Sequence, residues 1–254
     1  MGDTAAAARS AFPSGLVQPE SGFRFGLDSL LLACFASCRP GCRVVDLGTG
    51  CGVIGLGLCL ANPCSRPRVL GVDVQAGMVE AATENARRLG LADLYAARKG
   101  DVRQYRKIPG MGPESFDLVL ANPPYRLMGQ GRPPRDEGKR GACFEYRARL
   151  KDFLQAAAFA LTNKGRISLV YMVERLPALL HELHECRLEP KEMRLVHAAE
   201  HKPAGLALLT ARKNVRPGLA VHSPLFLDRP KELEAFCPLV AGAEEAGGGR
   251  LAIG

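Results

Sequence analysis

Residues 45–55 read Val45-Asp46-Leu47-Gly48-Thr49-Gly50-Cys51-Gly52-Val53-Ile54-Gly55. The first three close an apolar run, Arg43-Val44-Val45-Asp46-Leu47, that reads as a strand buried on both faces. The glycines after it let the backbone turn sharply and pass close to a bound nucleotide, and Cys51–Leu60 reads as the helix they open. A strand, a glycine turn and a helix in that order begin a βαβ unit, so a doubly wound α/β fold is expected.

The alternation continues outward from this stretch. Val69–Asp73 reads as a strand, Ala76–Leu89 as a helix stopped at Gly90, and Tyr95–Lys99 and Phe116–Ala121 as two more strands. A helix over Leu150–Leu161, a strand over Arg166–Met172, and a helix over Glu174–Cys186 with Pro177 in its first turn follow. Met193–Ala198 and Leu206–Arg212 read as a closing hairpin. Upstream, Asp28 reads as the cap of a helix reaching about Ser37 and stopped by Pro40-Gly41. The expected architecture is Rossmann-like, with about seven mostly parallel strands and an antiparallel hairpin. One domain is expected over residues 22–240, between a flexible N-terminal segment, 1–21, and a flexible tail, 241–254, both rich in small residues.

Composition excludes several classes. With 254 residues, 47% hydrophobic and 24% charged, the chain can bury a core and is neither disordered nor fibrous. No apolar run approaches the roughly 18 residues of a spanning helix, and the start lacks the pattern of an export signal, so a cytoplasmic protein without a membrane partner is expected. Nine cysteines without a C-x-x-C pair read as reduced thiols rather than a disulfide or zinc framework. His181-Glu182-Leu183-His184-Glu185 is not H-E-x-x-H and reads as a solvated helix face, so no metal is expected. A formal charge of +8 attracts polyanions, nucleic acid first among them.

Gly50-Cys51-Gly52-Val53-Ile54-Gly55 satisfies G-x-G-x-x-G, the dinucleotide fingerprint. Asp46 argues against that ligand, because a carboxylate at the strand end repels a pyrophosphate. S-adenosylmethionine (SAM) carries a sulfonium and an ammonium instead, and suits the same residue. Gly48, Gly50 and Gly52 would then cradle it, with Asp73 at the ribose, Asp101, after Gly100, near the adenine amine, and Val74 and Asn122 also among the cofactor's neighbours. The plainer reading makes Asp46, Asp73 and Asp101 loop starts or helix caps. Three such residues at three successive strand ends favour the ligand.

Asn122-Pro123-Pro124-Tyr125 directly follows the fourth strand. A planar amine conjugated to a π system is a poor nucleophile, and methyl transfer needs its lone pair aimed along the carbon–sulfur axis. The Asn122 side-chain oxygen and the Pro123 carbonyl can accept the two amine hydrogens, Pro124 helps keep that carbonyl rigid, and Tyr125 offers a face on which a flipped base stacks. Read plainly, Asn-Pro-Pro is a turn after a strand.

Asp46–Gly52, Asp73 and Asn122–Tyr125 together resemble the class I SAM-dependent methyltransferases that alkylate amino groups. Phe23-Arg24-Phe25-Gly26-Leu27-Asp28 and Ala204–Lys213 are further similar to the bacterial enzymes that methylate adenine N6 at position 37 of a valine tRNA, and the resemblance covers roughly residues 20–227. It implies SAM as cofactor, S-adenosylhomocysteine as product, and RNA, above all tRNA, as partner; the oligomeric state stays open. Guanine N2 of rRNA and a release-factor glutamine also present a planar NH2. A glutamine enzyme carries a separate N-terminal helical domain, however, and little chain precedes Phe23. A silent SAM- or RNA-binding module is the reading of a different class. Arg103, Arg106 and Lys107, with Arg126, Arg132, Arg135, Lys139 and Arg140, read either as a phosphate-binding rim or as solvated loop charges.

Overall fold

The structure, a computed structural model, describes residues 2–19, 24–124 and 148–241. Helices α1 (Gly2–Ser10) and α2 (Leu27–Phe35) precede β1 (Arg43–Leu47), α3 (Val53–Ala61), β2 (Arg68–Asp73), α4 (Ala76–Arg88) and β3 (Tyr95–Lys99). A 3-10 turn (Val102–Lys107), β4 (Phe116–Ala121), α5 (Leu150–Ala160), β5 (Leu161–Met172) and α6 (Leu176–Glu185) come next. β6 (Leu188–His197), β7 (Ala204–Lys213), the two-residue strands β8 (Ala220–Val221) and β9 (Leu225–Phe226), and α7 (Pro230–Phe236) complete the described chain.

The sheet runs β3-β2-β1-β4-β5-β7-β6-β8, with β9 also paired to β6. β1 to β5 are mutually parallel, whereas β7 lies antiparallel to both β5 and β6. The chain winds outward from β1 to β3 and then returns to the other side of β1 as β4. That reversal opens a crevice beyond the carboxyl ends of β1 and β4, the usual ligand position in such sheets.

Alternation along the strands feeds two cores. Val44, Leu118 and Leu120 face the α2 and α3 side, with Leu30, Leu31, Leu56 and Leu58. Val45, Leu47, Val119 and Ala121 face the other side, with Phe153 and Leu154 of α5 and Leu179 of α6. Helices on both faces explain why the central strands are buried at nearly every position rather than at alternate ones, with Asp46 the charged residue enclosed in β1.

Several boundaries differ from the sequence reading. The helix expected from Cys51 begins at Val53, because Gly52 has φ 90° and caps it in the left-handed region. β5 starts at Leu161 rather than Arg166, with a break in its pairing to β4 between Phe116 and Leu118. Both hairpin strands are longer than expected. The segment expected to be flexible before residue 22 packs instead. Phe12 is 2% exposed in the core, and Arg9 Nε donates to Leu89 O at 2.8 Å. Val17 N–H donates to Asn85 Oδ1 at 2.7 Å. One buried aromatic and these two anchors, none of which an Ala-rich composition reveals, account for the difference. Of the tail, only Ala241 lies within the described residues.

Candidate active site

Val44–Leu47 pair with Leu118–Ala121, so the glycine turn and Asn122 leave adjacent strands at the same level. Gly48, Gly50 and Gly52 have φ of 72°, 55° and 90°, a region that costs other residues roughly 1–2 kcal/mol. No atom of the described residues lies within 4 Å of where a Gly50 Cβ would sit, whereas a Gly48 Cβ would come within 3.2 Å of the Phe153 ring. Gly50 therefore needs no side chain for conformational reasons and leaves an open cradle above itself.

Beneath the turn lies a closed polar network. Thr49 Oγ1 donates to Asp46 Oδ2 at 2.6 Å, and Gly55 N–H donates to the same oxygen at 3.1 Å. The Tyr95 hydroxyl stands 2.8 Å from Thr49 Oγ1 and, since the Thr49 proton is engaged, donates to it. Asp46 is 0% exposed, and its Oδ1 has no hydrogen-bond partner among the described residues. Burial pushes its carboxyl up to about 6, opposed by Thr49 and Gly55. Expected at the ligand, Asp46 instead presents no surface to the crevice and braces the turn from below.

Asp73 crosses from β2 to the same turn. Its Oδ2 accepts from Gly50 N–H at 3.0 Å and its Oδ1 from Gln75 N–H at 2.9 Å. At 9% exposure it stands at the rim, and burial raises its carboxyl above the usual range. Val74 beside it is half-buried. Asp101 differs from expectation: it caps the Val102–Lys107 turn by accepting from Arg103 N–H at 2.9 Å, and pairs with the Arg103 guanidinium at 2.7 Å. That partner holds its carboxyl below the usual range. Here the plainer reading, a capping acid, describes the geometry.

Asn122 is gripped at its nitrogen. Nδ2 donates to Asp28 Oδ2 at 3.0 Å and to Ser29 Oγ at 3.2 Å, both in the first turn of α2. Asp28 is expected to cap that helix, but the cap position is Gly26, and Asp28 lies two residues beyond it, 1% exposed. Pro123 is buried and Pro124 exposed. Tyr125, Arg126, Arg132, Arg135, Lys139 and Arg140 lie outside the described residues. Arg103, Arg106 and Lys107 are exposed beyond β3, with the Arg106 guanidinium 5.0 Å from the Phe159 ring centroid.

Sequence reasoning did not single out Ser29, Thr49, Tyr95 or Asn85, whose Nδ2 donates to Cys51 O at 2.9 Å. Gly71 carried a signal for one of them. A glycine inside a strand marks close approach, and a Cβ there would overlap the Tyr95 hydroxyl.

A strand order with one antiparallel insertion, a glycine turn after β1 and an amide after β4 together define a class. The family model described as methyltransferase domain matches residues 39–208, and the chain belongs to that family. It is 34% identical over 147 residues to the tRNA1(Val) (adenine(37)-N6)-methyltransferase of Mannheimia succiniciproducens, covering 58% of each chain. The proteins of the same name from Vibrio campbellii and Porphyromonas gingivalis are 27% and 28% identical, over 70% of this chain and 74% and 70% of theirs. Among solved structures, a predicted O-methyltransferase from Agrobacterium tumefaciens has a TM-score of 0.62 at 23% identity, covering 78% of this chain and 86% of its own. The [4+2]-cyclase SpnF reaches 0.57 at 16% identity, covering 84% and 94%. A cyclase on the same fold means that side chains, not topology, must carry the argument about the reaction.

Proposed function

We propose that this chain transfers a methyl group from SAM to the exocyclic N6 amine of an adenine in tRNA. The observation that carries the reading is Asn122, held by Asp28 and Ser29 beside the glycine turn, with its oxygen at the amide end away from them. The similarity to relatives named as tRNA adenine N6-methyltransferases supports the substrate class, although the match spans 58% of the first of those proteins.

The residues present suit SAM. Gly50 offers an open cradle and Asp73 an acceptor at its rim, while Asp46 places negative charge below the turn without exposing it. Gly48, Gly50, Gly52, Asp73 and Val74 would hold it, and when bound it supplies a methyl group activated on a sulfonium. Asp101 would contribute only by sharing its carboxylate with Arg103. The direct contact expected of Asp46 is replaced by a supporting role.

For the amine, Asn122 Oδ1 and the Pro123 carbonyl accept its two hydrogens, drawing the nitrogen from planar toward tetrahedral. Their bonds strengthen as positive charge develops, so they lower the barrier more than they tighten binding. Tyr125 is assigned the stacking face. Exposed cations, including Arg106 and Lys107, supply phosphate affinity. The same reading places the chain in the cytoplasm.

The test is methylation of unmodified total tRNA, rRNA and a release factor with labelled SAM, followed by nucleoside and peptide analysis. N6-methyladenosine in tRNA is expected. Label in N2-methylguanosine or N5-methylglutamine would move the reading to those substrates, and no transfer at all would make the chain a binding module.

A further inference from the structure

We propose that Asp28 is a positioning residue for methyl transfer, its buried carboxylate fixing and polarising the Asn122 amide whose oxygen receives the substrate amine. The inference rests on the role given to Asn122 above.

Asp28 and Asn122 are 94 residues apart in sequence and 3.0 Å apart in space. A carboxylate 1% exposed is costly unless it is hydrogen-bonded. Here Oδ1 accepts from Ser29 N–H at 2.7 Å and Oδ2 from Asn122 Nδ2, at the amino end of a nine-residue helix whose dipole favours negative charge. Docking alone does not require this acid, because Leu27, Leu30, Leu31 and Leu32 already bury α2.

What the acid adds is direction. The terminal torsion of an asparagine is broad and roughly two-fold, so nitrogen and oxygen exchange places at little cost when their surroundings are neutral. An ionised carboxylate only accepts, and therefore admits the amide with its nitrogen inward and its oxygen outward. Ser29 Oγ takes the second Nδ2 proton and removes the remaining freedom. The charge also acts through the amide. Charge-assisted bonds are about twice as strong as neutral ones, and bonds in a chain reinforce one another by roughly 10–30% each. A negative charge behind Nδ2 thus makes Oδ1 a better acceptor for an amine becoming positive.

The test reads the amide first and the rate second. In 15N-labelled protein, the Asn122 Nδ2 protons should exchange slowly with solvent, and at least tenfold faster in Asp28→Asn. Single-turnover methylation by Asp28→Asn should fall about tenfold or more with SAM affinity within threefold, and the same change on an Asn122→Ala background should cost nothing further. If Asp28→Asn melts too early to assay, Ser29→Ala, which leaves the carboxylate in place, carries both readouts with several-fold effects. Equal Nδ2 exchange in the wild type and the variant, or additive losses in the double variant, would overturn the proposal. A wild type that methylates no adenine would overturn the substrate reading instead, and the exchange measurement would still decide the Asp28 contact.

Discussion

Asp73 on β2 reaches across to the turn that follows β1 and accepts the Gly50 N–H at 3.0 Å, at the glycine of that turn which has, among the described residues, open space above it. The carboxylate thus holds the cradle and stands at its rim. If it also receives ribose hydroxyls, Asp73→Ala should weaken SAM binding by roughly 1.5–3 kcal/mol, or about ten- to a hundredfold in Kd. Calorimetry of the variant checks this, and unchanged affinity would remove Asp73 from the site.

Gly71 and Gly50 should respond to alanine in opposite ways. At Gly71 a Cβ meets the Tyr95 ring and hydroxyl and the Thr49 methyl, all buried, so overpacking should cost about 1–3 kcal/mol of stability. At Gly50 a Cβ meets none of the described residues but is held at φ 55°, a penalty near 1 kcal/mol, and it projects into the cradle. Denaturant unfolding should therefore single out Gly71→Ala, and SAM titration Gly50→Ala. A Gly50→Ala protein that binds SAM normally would mean the cradle is not the cofactor's.

The buried Asp46 gives stability a defined dependence on pH. Its carboxyl rises from an ordinary 3.8 to about 6 in the folded chain, so between these values the folded state holds a proton that the unfolded state has released. Stability from this group is then fully present below about pH 4 and declines as pH rises to about 6, by on the order of 3 kcal/mol. Asp73, also raised by burial, acts in the same direction. Asp46→Asn should flatten the decline in denaturation curves taken from pH 4 to 7, and parallel curves for the two proteins would contradict the assignment.

The central sheet was legible in the sequence because helices cover both its faces, which leaves buried runs such as Leu118–Ala121, wholly apolar, and Val44–Leu47, apolar but for Asp46. The glycine turn and Asn122 were legible because each follows such a run directly. The different surroundings of the acids were not legible. A carboxylate at a strand end reads the same whether it faces a ligand, as Asp73 stands placed to do, braces a turn from below, as Asp46 does, or pairs with Arg103, as Asp101 does. Asp28 was read as a cap because its partner lies 94 residues away, and local patterns carry no information at that range. Phe12 anchored the N-terminal segment for the same reason.

A tRNA substrate requires phosphate contacts, which release counterions. Affinity for RNA should then fall steeply with salt, log K declining in proportion to the phosphates neutralised, and Arg106→Ala together with Lys107→Ala should reduce that slope. A flat salt response measured by filter binding or anisotropy would favour a protein or small-molecule substrate over RNA.

Asn122 should matter far more for rate than for binding. In the proposed reaction its oxygen stabilises an amine that gains positive charge as the methyl arrives, so the bond is stronger in the transition state than in the ground state. Losing one preorganised partner of this kind costs about 10²–10³ in turnover. Asn122→Ala should keep SAM and RNA affinity within a few-fold while single-turnover methylation nearly vanishes. Asn122→Asp is the sharper probe. It retains an acceptor toward the amine but replaces the Nδ2 donor with an oxygen, facing the Asp28 Oδ2 that now accepts from Nδ2 at 3.0 Å. Two carboxylates at that distance repel, so the variant must take up a proton or swing the side chain out of line. Its activity should be as low as that of Asn122→Ala near neutral pH and recover in part as the solution is acidified, when a shared proton restores a bond between the two residues. Wild-type rates in Asn122→Ala would leave the amide without a part in catalysis and would favour a SAM- or RNA-binding module that does not methylate.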